Sequence, residues 1–324
     1  MPTKCFLGID TSNYTTSAAL VGEDGALIAN LKIPLSVEAG ERGLRQSEAL
    51  FLHTKNLPEL MTRVHDTVLE RCLEVLAVGV SSRPRNKDGS YMPCFLAGLS
   101  AASAASAASG ARLYEFSHQC GHVAAAIYSS GAEELFDIDE IGAFHVSGGT
   151  TELLLARAVE GGFDSDIVGG TADLNAGQAI DRIGVYMGLA FPCGAEMERL
   201  AMTNTKRIPK ARLSINGCRF NLSGLENKAT ALFDDSGDAA LVSAYVLDFI
   251  ARAAIESSLE FRKLYGEMPM VYAGGVMSNS IIKSRILERI PRAYFAEPAM
   301  SSDNAVGAAV LARRSYFEED HKSV

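Results

Sequence analysis

Apolar and polar positions come in blocks along the chain, and the blocks change period in a regular order. CFLGIDT at 5–11 is an apolar run ending on Asp and Thr; the polar turn Ser12-Asn13-Tyr14-Thr15-Thr16 follows, then SAALVG. This predicts two strands joined by a tight turn, with Asn13 suited to positive φ. GALIANLK at 25–32 predicts a third strand. Over 46–77, Leu50, Leu57, Leu60, Val64 and Val68 recur with a helical period, and VLAVGVSS at 75–82 predicts a buried strand. MPCFLAGLSAASAASAASGA at 92–111 predicts a helix of very small side chains, because alanine is the best helix former; a low-complexity linker is the alternative. RLYEFS then predicts a strand that leads into His118.

The pattern restarts at mid-chain. EIGAFHVSGGTTELLLARA at 140–158 is again strand, Gly-rich polar turn, strand. Residues 173–202 predict helix, short loop, helix, and 245–266 a long amphipathic helix. Residues 270–290 predict strand, Gly-rich turn, helix, and 300–314 a loop feeding a final helix. A strand–turn–strand unit in both halves, without sequence identity between them, predicts an α/β protein of two related lobes around a cleft. We place the lobes at 1–125 and 126–324, with the last helix packing back on the first lobe as the alternative.

At 324 residues, with 48% hydrophobic and 21% charged residues, the chain can bury a sizeable core. Its net charge of −9 argues against global attraction to nucleic acid, so any RNA contact needs a local basic patch or a basic partner. Arg83-Pro84-Arg85-Asn86-Lys87 and the segment Lys206–Arg212 are the densest candidates, each weighed against an ordinary solvated loop. No apolar run is long enough to span a membrane. Six cysteines without a CxxC pair, behind an N-terminus that lacks a signal-peptide pattern, predict reduced thiols in the cytoplasm.

Four polar turns are predicted after buried strands: Asp10-Thr11-Ser12-Asn13, Ser147-Gly148-Gly149-Thr150-Thr151, Gly169-Gly170-Thr171 and Gly274-Gly275-Val276. Glycine lets backbone N–H groups approach phosphate oxygens, and a Gly-Gly before a helix can also receive an adenosine edge. His118 and His122 stand i, i+4 in SHQCGH, so one helical face carries both imidazoles. They can share a metal, with Asp303 of SSDNAVG as the third ligand; the alternative is a histidine pair in ordinary hydrogen bonds. Imidazole and oxygen ligands suit zinc or ferrous iron. The metalloprotease pattern HExxH is missing. Asp181, in QAIDRIG on a predicted helix, can bind ribose hydroxyls or be an exposed helical acid.

Taken in order, GIDTSNYTTS, SHQCGH, HVSGGTTEL, NAGQAIDRIG…FPCGAE, FNLSGLENK, AGGVMSNS and SSDNAVG resemble the TsaD-type tRNA threonylcarbamoyladenosine synthase family, formerly the glycoprotease or O-sialoglycoprotein endopeptidase family. The resemblance covers almost the whole chain. It implies the actin-like ATPase fold (that of Hsp70, actin and sugar kinases) and transfer of a threonylcarbamoyl group from threonylcarbamoyl-AMP to adenosine of tRNA. It implies one divalent metal, Fe2+ or Zn2+, on His118, His122 and Asp303. It implies acyl-phosphate contacts from His145, Val146, Ser147, Gly148 and Gly149, and adenosine contacts from Asp181, Gly194 and Asn279, beside the Gly274-Gly275 turn. ATP or threonylcarbamoyl-AMP would be the ligand, and a dimerisation partner is usual in this family. The chain departs from the family pattern where Tyr14 and Thr15 replace two carboxylates, where Asn175 and Gln178 replace acids, and where Thr150 replaces the histidine of SGGHT. Asp10 and Thr15 are the candidates for catalysis. The alternative to the transferase is a non-catalytic paralogue that binds nucleotide and metal, or a carbamoyl or phosphoryl transferase acting on a small molecule.

Overall fold

A computed structural model describes residues 2–12, 14–36, 44–297, 300 and 305–322. The chain divides into two compact units: Met1–Asp137 with Arg157–Ser165 and Ser302–Val324, and Ile138–Ala156 with Asp166–Ser301.

The first unit holds a five-stranded sheet of β1 (Thr3–Asp10), β2 (Thr15–Gly22), β3 (Leu27–Pro34), β4 (Leu73–Arg83) and β5 (Arg112–Ser117), ordered β3-β2-β1-β4-β5. The first three strands run as an antiparallel meander, and β4 and β5 are parallel to β1 and β4 respectively. Alternation sorts the side chains of β1 between two layers. Leu7 and Ile9 join a core with Leu57 and Leu60 of helix α1 (Gln46–Glu70) and Ala97 of helix α2 (Phe95–Ser109). Gly8 and Phe6 face the other way, against the C-terminal helix Val306–Lys322: Phe6 packs edge-on to Tyr316 and Phe317. The helical period read over 46–77 overshoots. The helix stops at Glu70, Cys72 takes a left-handed φ of 51°, and β4 begins at Leu73. Apolar residues continue through both elements, so periodicity alone does not mark the change. Helix α3 (His118–Ser129) follows β5 directly, with Ser117 as its cap, accepting a hydrogen bond from the Cys120 amide.

The second unit repeats the arrangement. β6 (Glu140–Val146), β7 (Thr151–Val159), β8 (Gly162–Thr171), β9 (Ile215–Asn216), β10 (Arg219–Phe220), β11 (Met270–Ala273) and β12 (Ala293–Phe295) are ordered β12-β11-β6-β7-β8-β10-β9. In chain order, its first three strands and its two parallel additions reproduce the 3-2-1-4-5 order of the first sheet. Helices α4 (Ala176–Tyr186), α5 (Gly194–Met202), α6 (Ser223–Ser236), α7 (Ala239–Tyr265) and α8 (Ser280–Leu287) cover this sheet, and the helix at the C-terminus is α9. Much of α7 is buried in the large core with Phe144, Leu153 and Tyr272.

One predicted turn is corrected. Gly169-Gly170-Thr171 lies within β8. A Cβ on Gly169 would stand 2.4 Å from that of Cys218, and one on Gly170 would stand 2.1 Å from the Thr151 carbonyl oxygen. These glycines let neighbouring strands approach, a role a strand pattern shares with a ligand turn. Among the described residues no helix is long and apolar enough to cross a membrane.

Candidate functional site

In the first unit β1 ends on Asp10, which is 2% exposed. Its Oδ1 accepts from the Ser12 amide at 2.8 Å and from the Ser12 hydroxyl. Its Oδ2 meets Nδ1 of His118 at 2.9 Å. Burial alone would raise this carboxyl, but the charge and hydrogen bond of His118, with the hydroxyls of Ser12 and Ser81, outweigh it and hold Asp10 well below the usual carboxylate range. The spacing of His118 and His122 brings their rings together as predicted, centroids 4.2 Å apart and edge to face. Thr15 opens β2 and its amide closes the turn on the Ser12 carbonyl at 3.5 Å. Thr11 ties the turn to α2: its hydroxyl donates to the Cys94 carbonyl at 2.9 Å and accepts from the Gly98 amide at 3.0 Å.

Small residues bring α9 close to this site. A Cβ on Gly8 would stand 2.2 Å from the Ala305 carbonyl oxygen, and one on Gly79 would stand 2.2 Å from that of Ala308. A Cβ on Gly307 would stand 1.9 Å from the carbonyl oxygen of Gly121, the residue before His122. The start of α9 is thus seated on the histidine-bearing helix. Asp303 and Asn13 lie outside the described residues.

The histidine pair suits a divalent metal. With Nδ1 of His118 engaged by a carboxylate, Nε2 is the nitrogen that would bind the ion, and the carboxylate fixes the ring orientation. Among the described residues no group of three or more His, Cys, Asp or Glu side chains is placed to hold a metal.

The second unit gathers the glycine turns. Ser147 closes its turn through its amide on the Thr150 carbonyl at 2.7 Å, and the Thr150 amide donates to the Ser147 hydroxyl at 3.2 Å. The Gly177 amide at the start of α4 donates to the Ser147 carbonyl, and the Val276 amide to the Val146 carbonyl. Gly274, at φ +97°, is wedged where a Cβ would stand 2.2 Å from the Val146 oxygen and 2.9 Å from His145. His145 and Val146 therefore lie against the Gly274 turn, while Ser147 and Gly148 lie against Gly177 at the start of α4. A Cβ added to Gly148, Gly149, Gly194 or Gly275 would meet nothing within 4 Å. Open space beside backbone N–H groups is what an approaching phosphate requires.

Asp181 sits on α4 and accepts from the Cys193 amide at 2.8 Å, so it lies beside Gly194 at the start of α5. Asn279 caps α8, its Oδ1 accepting from the amides of Ile281 and Ile282, both at 3.1 Å. Asp173, which no sequence pattern marked, carries a denser network. It accepts from the amides of Leu174, Leu222 and Ser223, from the Ser223 hydroxyl and from Asn221. It thereby caps α6 from 50 residues away. Burial would raise this carboxyl, yet these donors hold it below the usual range. No local signal reveals such a bond, because donor and acceptor meet only after β8 and α6 pack.

The departures from the family pattern have distinct surroundings. Tyr14 is 47% exposed and Gln178 is exposed. Asn175 donates through Nδ2 to the Gly149 carbonyl at 2.9 Å, a bond no carboxylate can make. Thr151, beside the lost histidine, accepts from the Ala176 amide at 3.0 Å and steadies the start of α4.

Comparisons with known proteins agree with this picture. Component A of (R)-2-hydroxyglutaryl-CoA dehydratase from Acidaminococcus fermentans superposes with a TM-score of 0.53 at 12% identity, covering 96% of this chain and 98% of that one. A ROK family glucokinase from Streptomyces griseus, in complex with glucose and AMPPNP, gives a TM-score of 0.50 at 14% identity, covering 96% and 99%. These likenesses place the chain in the actin-like ATPase fold. The tRNA N6-adenosine threonylcarbamoyltransferase of Streptococcus equi subsp. equi is 28% identical over 349 aligned positions, covering 99% of this chain and 94% of that protein. The family model described as TsaD, tRNA N6-adenosine threonylcarbamoyltransferase, matches residues 41–310, more than half of the chain. On that match, and with its motifs in family order, the chain belongs to the TsaD family.

Proposed function

We propose that this chain is a metal-dependent threonylcarbamoyl transferase that acts on adenosine of tRNA with threonylcarbamoyl-AMP as donor. The observation that carries the reading is the Asp10–His118 bond beside His122, a carboxylate-oriented imidazole pair in a member of this family. The reading assigns the ion, Fe2+ or Zn2+, to His118, His122 and Asp303. When bound, the ion would supply Lewis-acid stabilisation of charge on the attacked carbonyl. It assigns the adenine nucleotide to His145–Gly149, Asp181, Gly194, Gly274, Gly275 and Asn279.

In the reaction the adenine N6 forms a bond to the carbamoyl carbon, the bond from that carbon to the AMP phosphate oxygen breaks, and AMP leaves with the electron pair. The amine proton passes to solvent; the catalytic candidates Asp10 and Thr15 would act by positioning, since a carboxyl held this low and a threonine hydroxyl are both poor proton acceptors. The amine is a weak nucleophile, so most of the rate is expected from positioning and from holding the leaving phosphate. Backbone N–H groups around Gly148 and Gly275 would do the latter. Asp10, kept anionic by its donors, would orient His118. We assign the chain to the cytoplasm, with a dimerisation partner on helix α1, where Phe51 is 66% exposed.

A second reading, a nucleotide- and metal-binding paralogue without transferase activity, is favoured by one observation. Asn175 uses its amide to bond Gly149, so the position of a family acid is filled by a structural donor. One experiment separates the two. The purified chain is assayed for bound metal, then incubated with tRNA, ATP, threonine, bicarbonate and an adenylate-forming partner enzyme, and the tRNA nucleosides are analysed by mass spectrometry. Threonylcarbamoyladenosine that disappears in the His118→Ala variant supports the transferase. Nucleotide binding with no modified adenosine sinks it in favour of the paralogue.

A further inference from the structure

We propose that the segment Lys206–Arg212 of the second unit, with the adjoining face of α7 and α8, is a phosphate-binding surface for RNA. The inference rests on the tRNA reading above. Between Glu198 and Glu226 the chain carries Arg199, Lys206, Arg207, Lys210, Arg212 and Arg219 and no acidic residue, although its net charge is −9. Arg199 is occupied by Glu196, and Lys206 by Asp238 at 2.7 Å. The remaining cations of the segment, Arg207, Lys210 and Arg212, are exposed.

The segment has no regular secondary structure between α5 and β9, yet it is anchored. Ile208, Ala211, Leu213 and Ile215 pack against the core of the unit. The Ala211 carbonyl accepts from Nη1 of Arg252 on α7 at 2.9 Å. Nε of Arg252 bonds Asp248 at 2.8 Å, and the same carboxylate is bonded by Arg285 of α8. Arg252 and Arg285 in turn line an open groove of about 780 Å³ with Arg289, Ser284, Glu288 and Ser280, whose amide and hydroxyl already donate to Glu198, so Arg289 is the groove cation left for a phosphate. Cationic segment and groove thus share a wall, and Asp248 is the carboxylate that joins them.

The pattern of in and out decides what this surface fits. Protein–protein interfaces place apolar and aromatic side chains at their centre and exclude charge from it. Here the aliphatic side chains of the segment turn into the core, and long cations are left outside. Such a rail neutralises phosphates without reading bases. On a chain with a net charge of −9 it offers RNA a local attraction that the overall charge does not supply.

The test uses the full chain with unmodified tRNA transcripts, comparing wild type with the triple variant Arg207→Gln, Lys210→Gln, Arg212→Gln, and separately Arg289→Gln. Each tRNA Kd is measured across a salt series; melting curves and nucleotide affinity serve as controls, since none of these residues is placed in the nucleotide or metal site. The expected result for the triple variant is at least about a tenfold weaker Kd at low salt and a log–log salt slope shallower by about 2. Arg289→Gln should give a smaller change of the same sign. A triple variant that binds tRNA with the wild-type Kd and slope overturns the inference and leaves the transferase reading standing. Wild type that fails to bind tRNA overturns both. Unchanged tRNA binding with lost retention on poly-glutamate assigns the segment to an acidic protein instead, and also overturns the RNA assignment.

Discussion

Gly307 of α9 meets Gly121 of α3 so closely that a Cβ on Gly307 would stand 1.9 Å from the Gly121 carbonyl oxygen. The contact is asymmetric. A Cβ on Gly121 would find nothing nearer than the Ser81 hydroxyl at 3.8 Å. Gly307→Ala should therefore force the helices apart and cost about 1–3 kcal/mol, the usual penalty of overpacking. Gly121→Ala should be neutral or stabilising by up to about 1 kcal/mol, through helix propensity. Urea denaturation of the two variants checks this, and equal losses would show that the two helices do not cross at this glycine pair.

Asp10 and His118 supply the second prediction. Asp10→Asn removes the carboxylate that orients His118 and should weaken metal affinity about 10- to 100-fold, as loss of such outer partners typically does. Because the folded carboxyl lies below its ordinary value, its contribution to stability is complete at neutral pH and is lost as pH falls through the acid range. The Asn variant should lack that acid-side loss. Metal titration and a pH series of melting curves test the two effects, and wild-type metal affinity in the variant would remove the positioning role.

For Asp173 the same sign holds with a different consequence. Asp173→Ala strips the acceptor from the first amides of α6, where the cap residue Leu222 offers no side-chain acceptor of its own. A loss of about 0.5–2 kcal/mol is expected, the range for helix caps. Hydrogen exchange should show it concentrated at the N-terminus of α6, and should show the wild type loosening there as pH falls below about 4, the ordinary carboxylate value. Uniform exchange changes across the unit would contradict a local cap.

The two glycines of the 274–275 turn should separate folding from ligand binding. Gly274→Ala carries a left-handed φ and a clash with the Val146 carbonyl, so it should destabilise the unit. Gly275→Ala faces open space and should fold normally while weakening nucleotide binding. Calorimetric titration with an ATP analogue decides the second; wild-type affinity in Gly275→Ala would move the nucleotide away from this turn.

Most of the longer strands and helices, the second start of the pattern near residue 140 and the pairing of His118 with His122 were legible in the sequence, because each depends on local periodicity or an i, i+4 spacing; α6 and the short strands β9, β10 and β12 went unmarked. The end of α1 and the role of Gly169 and Gly170 were not. Apolar runs pass through a helix–strand boundary unmarked, and a glycine pair looks the same in a turn and in a crowded strand. Tertiary structure alone decided that Asp10 serves His118, that Asp173 caps a helix 50 residues later, and that Arg252 tethers the Lys206–Arg212 segment. These are bonds between groups far apart along the chain. Their partners are chosen by how sheets and helices pack, and no short window of residues contains both ends.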